Sequence, residues 1–483
     1  MASPESRVVS NINDRLSARW VLATAAWFLA GCASLAPDAG FDAVERVTRE
    51  QLGQGVTWAR GDAERSALDE RVTELLAQPL TPQSAVQVAL LNNRELQAAF
   101  AELGIADAER VQAGRLANPG FTFARLERGD ELEIERSLHV NLARLLVMPL
   151  ATQVASRRVE QVQRETAMQV LALAADTRKA WVNAVAADEG VRYARQVMEA
   201  AEASAELARR MEQVGNFNKL QRAREQSFYA DAALNLARAT QLQGIARERL
   251  TRLMGLWGEQ TAYRLPERLP DLPAAPRELP DAEQIAMAQR LDVNAARLGV
   301  EQMASNLDLT RTTRFVNVLE LGLVHNSSNA APPQRGFEVS VELPLFDWGD
   351  ARIAKAEAIY MQALNRAAAI AVNARSEVRE AYIGYRHAFD IAKHHRDEIV
   401  PLRKRIADEN LLRYNGMLIG VFELLADARA QIASVGASID ALRDFWLAQA
   451  DLDMALIGKP ALALRAGAAD MRTSGPAEAA GGH

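Results

Sequence analysis

Two kinds of hydrophobic periodicity alternate along this chain, and each occurs twice. The shorter stretches change polarity every second residue. Leu132, Ile134, Leu138, Val140 and Leu142 share one face, interrupted by Arg136, while Glu133, Glu135, Ser137, His139 and Asn141 take the other. Further on, Phe337, Val339, Val341 and Leu343 alternate with Glu338, Ser340 and Glu342. A period of two predicts strands with one apolar and one polar face. Each has a predicted partner just upstream, near Phe121-Thr122-Phe123 and Phe315 to His325. The connections, around Gly129-Asp130 and Ser327 to Pro333, read as hairpins.

The longer stretches are helical in composition. No proline occurs between Pro149 and Pro266, or between Pro344 and Pro401. Ala151 to Met254 is built from Ala, Glu, Arg, Leu and Gln, the strong helix formers, with one break at Val214-Gly215-Asn216. Ala351 to Leu456 repeats this, broken at Tyr414-Asn415-Gly416, with Pro401 expected to kink the long helix. The two halves align. Asn93 to Ala99 answers Arg290 to Ala296, Met148-Pro149-Leu150 answers Leu343-Pro344-Leu345, and Gly215 answers Gly416. The expected fold is therefore mainly α with a small β part, a duplicated helix, β-hairpin, long helix, helix unit. Its limits are 81–255 and 282–458, joined by a Pro-rich linker at 256–281.

Length turns this plan into an architecture. Ala151 to Val214 is roughly 96 Å of helix, and the return helix Asn216 to Met254 about 58 Å. The helix before the hairpin, Thr81 to Leu116, adds roughly 54 Å, so two short helices stacked end to end match one long one. A globular core has no use for such helices, whereas a tube does. Strands that are apolar on one side and polar on the other also suit a transmembrane β-barrel. Four strands cannot close one, and open edges cannot sit in lipid, so the chain is expected to oligomerise.

Composition at first points elsewhere. A mean hydropathy of −0.14 excludes a polytopic helical membrane protein. A net charge of −6 gives no nucleic-acid footprint. The single cysteine excludes an internal disulfide framework. That cysteine, Cys32, follows the apolar run Trp20 to Gly31, which is too short to span a bilayer but suits a secretory signal. Leu29-Ala30-Gly31-Cys32 resembles a bacterial lipobox, which implies a lipoprotein signal peptide at 1–31, lipidation of Cys32 with palmitate-type chains, and a lipid-anchored segment at 32–80. The Ala- and Gly-rich tail, 459–483, is expected to be disordered.

Taken together, the region from Thr81 to Gly458 resembles the TolC-like outer-membrane efflux proteins. The sharpest piece is Leu343-Pro344-Leu345-Phe346-Asp347-Trp348-Gly349, of which the first half keeps only Met148-Pro149-Leu150. The resemblance implies a homotrimer, with a twelve-stranded outer-membrane barrel over an α-helical periplasmic tunnel and the Pro-rich linker in an equatorial belt. It also implies two partners, a periplasmic adaptor (membrane fusion) protein and an inner-membrane pump. It places a gate just after the second reversal, where Glu423 and Asp427 lie one helical turn apart. The docking tips would be Val214, Gly215, Asn216 and Phe217, with Asn415, Gly416, Met417 and Leu418, whose apolar members are expected to be exposed. Glu133, Glu135, Glu338 and Glu342 would line an acidic barrel lumen.

Enzymatic readings find no footing. The chain has no Gly-rich phosphate loop, no His-Glu-x-x-His and no nucleophile elbow, so no catalytic residue and no cofactor is expected. His394 and His395 are adjacent and point about 100° apart on a helix, so no metal site is expected either. The competing reading is a non-channel periplasmic coiled-coil structural or adaptor lipoprotein. An adaptor would insert a β domain between its helices, where this sequence has only tight Gly reversals.

Overall fold

The computed structural model describes residues 34–313, 319–342 and 345–460. Residues 1–33, which include the expected signal peptide and Cys32, together with Phe315, the Leu343-Pro344 pair and the tail beyond residue 460, lie outside the described residues. Two helices open the described chain, α1 (Phe41–Leu52) and α2 (Asp62–Leu76). The first repeat then runs α3 (Pro82–Asn92), α4 (Arg94–Ala113), β1 (Gly120–Arg128), β2 (Glu131–Asn141), α5 (Leu142–Gln213) and α6 (Lys219–Leu253). The second runs α7 (Ala282–Gln289), α8 (Leu291–Thr313), β3 (Leu319–Ser328), β4 (Gln334–Val341), α9 (Asp350–His394), α10 (Val400–Asn415) and α11 (Val421–Ile457).

Several boundaries differ from the sequence reading, each for a local reason. The helix expected over Thr81 to Leu116 is two helices, because Asn93 adopts an extended backbone and its side chain accepts from Leu96 N at 3.0 Å. The second repeat breaks at the matching residue, Arg290. These breaks do the same work. Asn93 Nδ2 donates to the Leu253 carbonyl (3.0 Å) and Arg290 Nη1 to the Ala455 carbonyl (3.2 Å), satisfying oxygens at the end of each return helix. Arg290 is buried, held also by Asp292 and Glu377 at 2.6 Å each.

The first long helix starts at Leu142, which is not a strand residue. Asn141 accepts from Arg144 N (2.8 Å), so Pro149 falls inside the helix rather than before it. In the second long helix, one π turn at His395–Ile399 joins α9 to α10 just ahead of Pro401. Proline lacks the N–H for an α bond and its ring crowds the carbonyl four residues back. A widened turn relieves both.

The 72-residue α5 is roughly 108 Å long. It packs on α3, α4, α6, α8 and α11, while α9 runs against α7, α8 and α11. Alanine-rich faces bring these helices together around three apolar clusters, centred on Trp181, Phe100 and Phe445. Polar side chains pin the connecting segments to the bundle. Trp181 Nε1 donates to the Leu80 carbonyl (2.7 Å), Trp446 Nε1 to the Pro270 carbonyl (3.0 Å), and the Tyr385 hydroxyl accepts from Arg277 N (2.8 Å). Among the described residues, no helix is long and apolar enough to cross a membrane.

Candidate functional site

The four strands form one antiparallel sheet in the order β1-β2-β3-β4, so the two hairpins are continuous with each other. Asn329 fixes the seam. Its amide donates to the Asp130 carbonyl and its side-chain oxygen accepts from Leu132 N, both at 2.8 Å. The register stacks side chains in rows across the sheet. Val140, Leu321 and Val339 form one row, and Phe121, Leu138, Leu323 and Phe337 the next. All of these are exposed in the single chain. The apolar band continues below the sheet in exposed Leu146, Leu345, Phe346 and Trp348 at the roots of the long helices.

The opposite face is polar. Glu133, Glu135 and Glu338 all belong to it, and Glu342 follows the end of β4. The register adds Glu320, in line with Asn141 and Ser340, which the sequence reading did not single out. His139 lies across a row formed with Gly120, Gly322 and Glu338. A Cβ at Gly120 would come within 2.0 Å of the His139 ring, so any side chain there would require that ring to move.

At the far end, the two reversals use the same backbone turn. In the first, Asn216 N bonds to the Met211 carbonyl and Gly215 N to that of Glu212. In the second, Leu418 N bonds to the Arg413 carbonyl and Met417 N to that of Tyr414. The left-handed position is Gly215 (φ 81°) in one and Met417 (φ 57°) in the other. Gly215 therefore answers Met417 and not Gly416. Val214, Met417 and Leu418 are exposed as expected, but Phe217 is only 7% exposed and is not a surface residue. The turn folds it back beneath the tip, where its N–H also reaches the Met211 carbonyl (3.2 Å).

Beside the first tip, hydrogen bonds from Arg209 and Arg210 hold the Glu206 carboxyl down to about 2. Beside the second, Glu423 is exposed on the first turn of α11, and one turn later Asp427 accepts from Asn410 on α10. Two residues further on, Arg429 Nη2 donates to Glu225 of α6 (2.7 Å). Glu225 is buried and also accepts from Ser204 Oγ of α5 (2.7 Å), while Arg429 lies 4.4 Å over the Phe228 ring. This latch between the two helical hairpins was not foreseen, since its members are isolated charges on separate helices. Among the described residues, no group of three or more His, Cys, Asp or Glu could hold a metal ion.

No family model matches the sequence, and no curated protein matches it. Solved structures match the fold. The Campylobacter jejuni CmeC outer membrane channel superposes with a TM-score of 0.66 at 15% identity, over 84% of this chain and 89% of that one. For the open state of the Neisseria gonorrhoeae MtrE outer membrane channel the TM-score is 0.64 at 19% identity, over 78% and 89%. A membrane protein from Pseudomonas aeruginosa gives 0.68 at 19% identity, over 78% and 92%. The chain has the TolC-like fold of these outer-membrane channels, a long helical body carrying a four-stranded sheet.

Proposed function

We propose that the chain is a TolC-like family member and one third of a trimeric exit duct in the outer membrane of a Gram-negative bacterium. The duct would carry small molecules or ions from periplasm to exterior for a tripartite efflux pump or export system. The sheet is the observation that carries this reading. Among the described residues it has four strands, two unpaired edges and an exposed apolar face, set on helices near 100 Å long. Three copies joined edge to edge remove every open edge and leave the apolar face to lipid. An adaptor lipoprotein gives the sheet edges no partner.

The parts follow from placement. Glu133, Glu135, Glu338 and Glu342, with Glu320, make the lumen acidic and cation-preferring. Val214, Asn216, Asn415, Gly416, Met417 and Leu418 meet the adaptor, and Glu423 and Asp427 narrow the pore beside them. The Arg429–Glu225 latch holds that end shut. Cys32 is the lipid anchor. The duct itself does no chemistry and needs no cofactor. The test is single-channel conductance of the purified protein in planar bilayers, with heat-modifiable migration on gels as a check of the trimer. Cation-selective pores are expected, with larger conductance when Arg429 is replaced by Ala. A monomer that forms no pores refutes the duct.

A further inference from the structure

The sheet sorts its charges by face. Glu131, Glu133, Glu135, Glu320 and Glu338 share the polar face with Arg128, whereas Arg125, Arg136 and Arg335 share the apolar face with Glu127 alone. Glu127 is already paired with Arg125, at 2.5 Å. The register then brings Arg136, His325 and Arg335 into one row on three neighbouring strands. Adjacent strands lie about 4.8 Å apart, so the two guanidinium-bearing positions are roughly 10 Å apart with the imidazole between. Neither Arg136 nor Arg335 has a carboxylate partner among the described residues.

The row's position along the strands is as telling as its charge. It lies directly beyond the apolar row containing Phe121 and Phe337, on the side away from the helices, and Phe123 is its fourth member. An arginine on a lipid-facing strand is costly at the bilayer midplane and nearly free near the interface. Beyond it the same face carries Arg125, Glu127 and Ser327 among Ile134 and Leu132, so this row is where charge first enters the apolar band, and two arginines without carboxylates there call for an anion. Arginine binds phosphate oxygens in bidentate fashion.

We propose that Arg136 and Arg335, with His325 between them, form a site for the phosphates of a phosphorylated lipid headgroup at the outer edge of the barrel's apolar band. The site rests on the barrel reading above, and it specifies which lipid the barrel holds. The apolar band that leads up to the row is what selects a lipid over a free anion.

The experiment is native mass spectrometry of the full-length protein in detergent, titrated with diphosphoryl lipid A or with the dephosphorylated lipid. Inorganic phosphate serves as competitor. At about 1 kcal/mol per arginine near a charged surface, the phosphorylated lipid is expected to bind about thirtyfold more tightly. The double variant Arg136→Gln/Arg335→Gln should lose that preference, while Arg128→Gln on the other face keeps it. Preference retained in the double variant overturns the site, as does full displacement by equimolar phosphate. Bilayer conductance separates the two levels of the argument. Pores without phosphate preference overturn the lipid site alone, and absence of pores in every form overturns the barrel and the site together.

Discussion

The two helical reversals share a backbone path and differ in almost every side chain that finishes it. The first has Gly215 at the left-handed residue, Phe217 tucked beneath, and Asn218 in a reciprocal cap with Gln221, both bonds 2.8 Å. The second has Met417 at the left-handed residue, Leu418 exposed, and Gly420 at the helix start with no side-chain cap. Each substitution gives up stability that the first turn keeps. The same turn occurs twice, and its two copies are finished differently. The first is finished as the more stable turn, with Val214 exposed at its tip. The second keeps bare apolar side chains at the tip beside the Glu423 and Asp427 carboxylates, as a surface awaiting a partner would.

The largest effect should come from the apolar residue of each tip. Phe217→Ala removes a buried ring and is expected to cost about 3 kcal/mol, seen as a lower unfolding midpoint of the detergent-solubilised protein. Leu418→Ala should change stability by no more than about 0.5 kcal/mol. Its effect should fall on function, with adaptor capture weakened about tenfold as for the loss of one interface anchor. If Leu418→Ala unfolds the protein as readily as Phe217→Ala, the two turns are alike and the contrast fails.

The next contrast swaps the left-handed residues. Gly215→Met should cost about 1–2 kcal/mol, because a side chain there meets the strain that Met417 already bears. Met417→Gly should raise stability by about 1 kcal/mol while lowering adaptor capture. Midpoint shifts of opposite sign support the comparison. Two shifts of the same sign would show that Met417 sits there without strain.

This pair also shows how far the sequence could be read. Gly215 and Gly416 both announce a turn, but a glycine marks where the chain reverses and not which residue turns left-handed. The strand alternation was legible because a period of two needs only neighbours along the chain. Arg136 was visible as an interruption of the apolar face. Its alignment with His325 and Arg335 was not, since register between hairpins is set by the Asn329 seam and by turn lengths. Phe217 was misread for a related reason. Its place beneath the tip depends on the bond from its N–H back to Met211, which composition does not reveal. The Glu225–Arg429 latch joins helices from different repeats, and on either helix alone the charge reads as solvated.

The smallest effect concerns the charges behind each tip. Glu206 is clasped by two arginines, Arg209 and Arg210, at 2.7 Å each, whereas the corresponding region of the second hairpin has the single pair Arg413–Glu409 at 3.2 Å. The clasp lowers the Glu206 carboxyl from its ordinary 4.5 to about 2. A depressed carboxyl stabilises the fold above its unfolded value, and that contribution is lost as pH falls from about 4.5 towards 2. The unfolding midpoint of Glu206→Gln should therefore lie slightly below that of the parent protein at pH 6 and converge with it towards pH 2. Because these three side chains are reached by solvent, the gap at pH 6 should also close in 1 M salt, where the Debye length is about 3 Å. A gap that persists in salt would mean that Glu206 is shielded in the assembled duct. The charges behind the first tip would then belong to a contact surface along with Val214 and Asn216, and the contrast with the second turn would no longer hold.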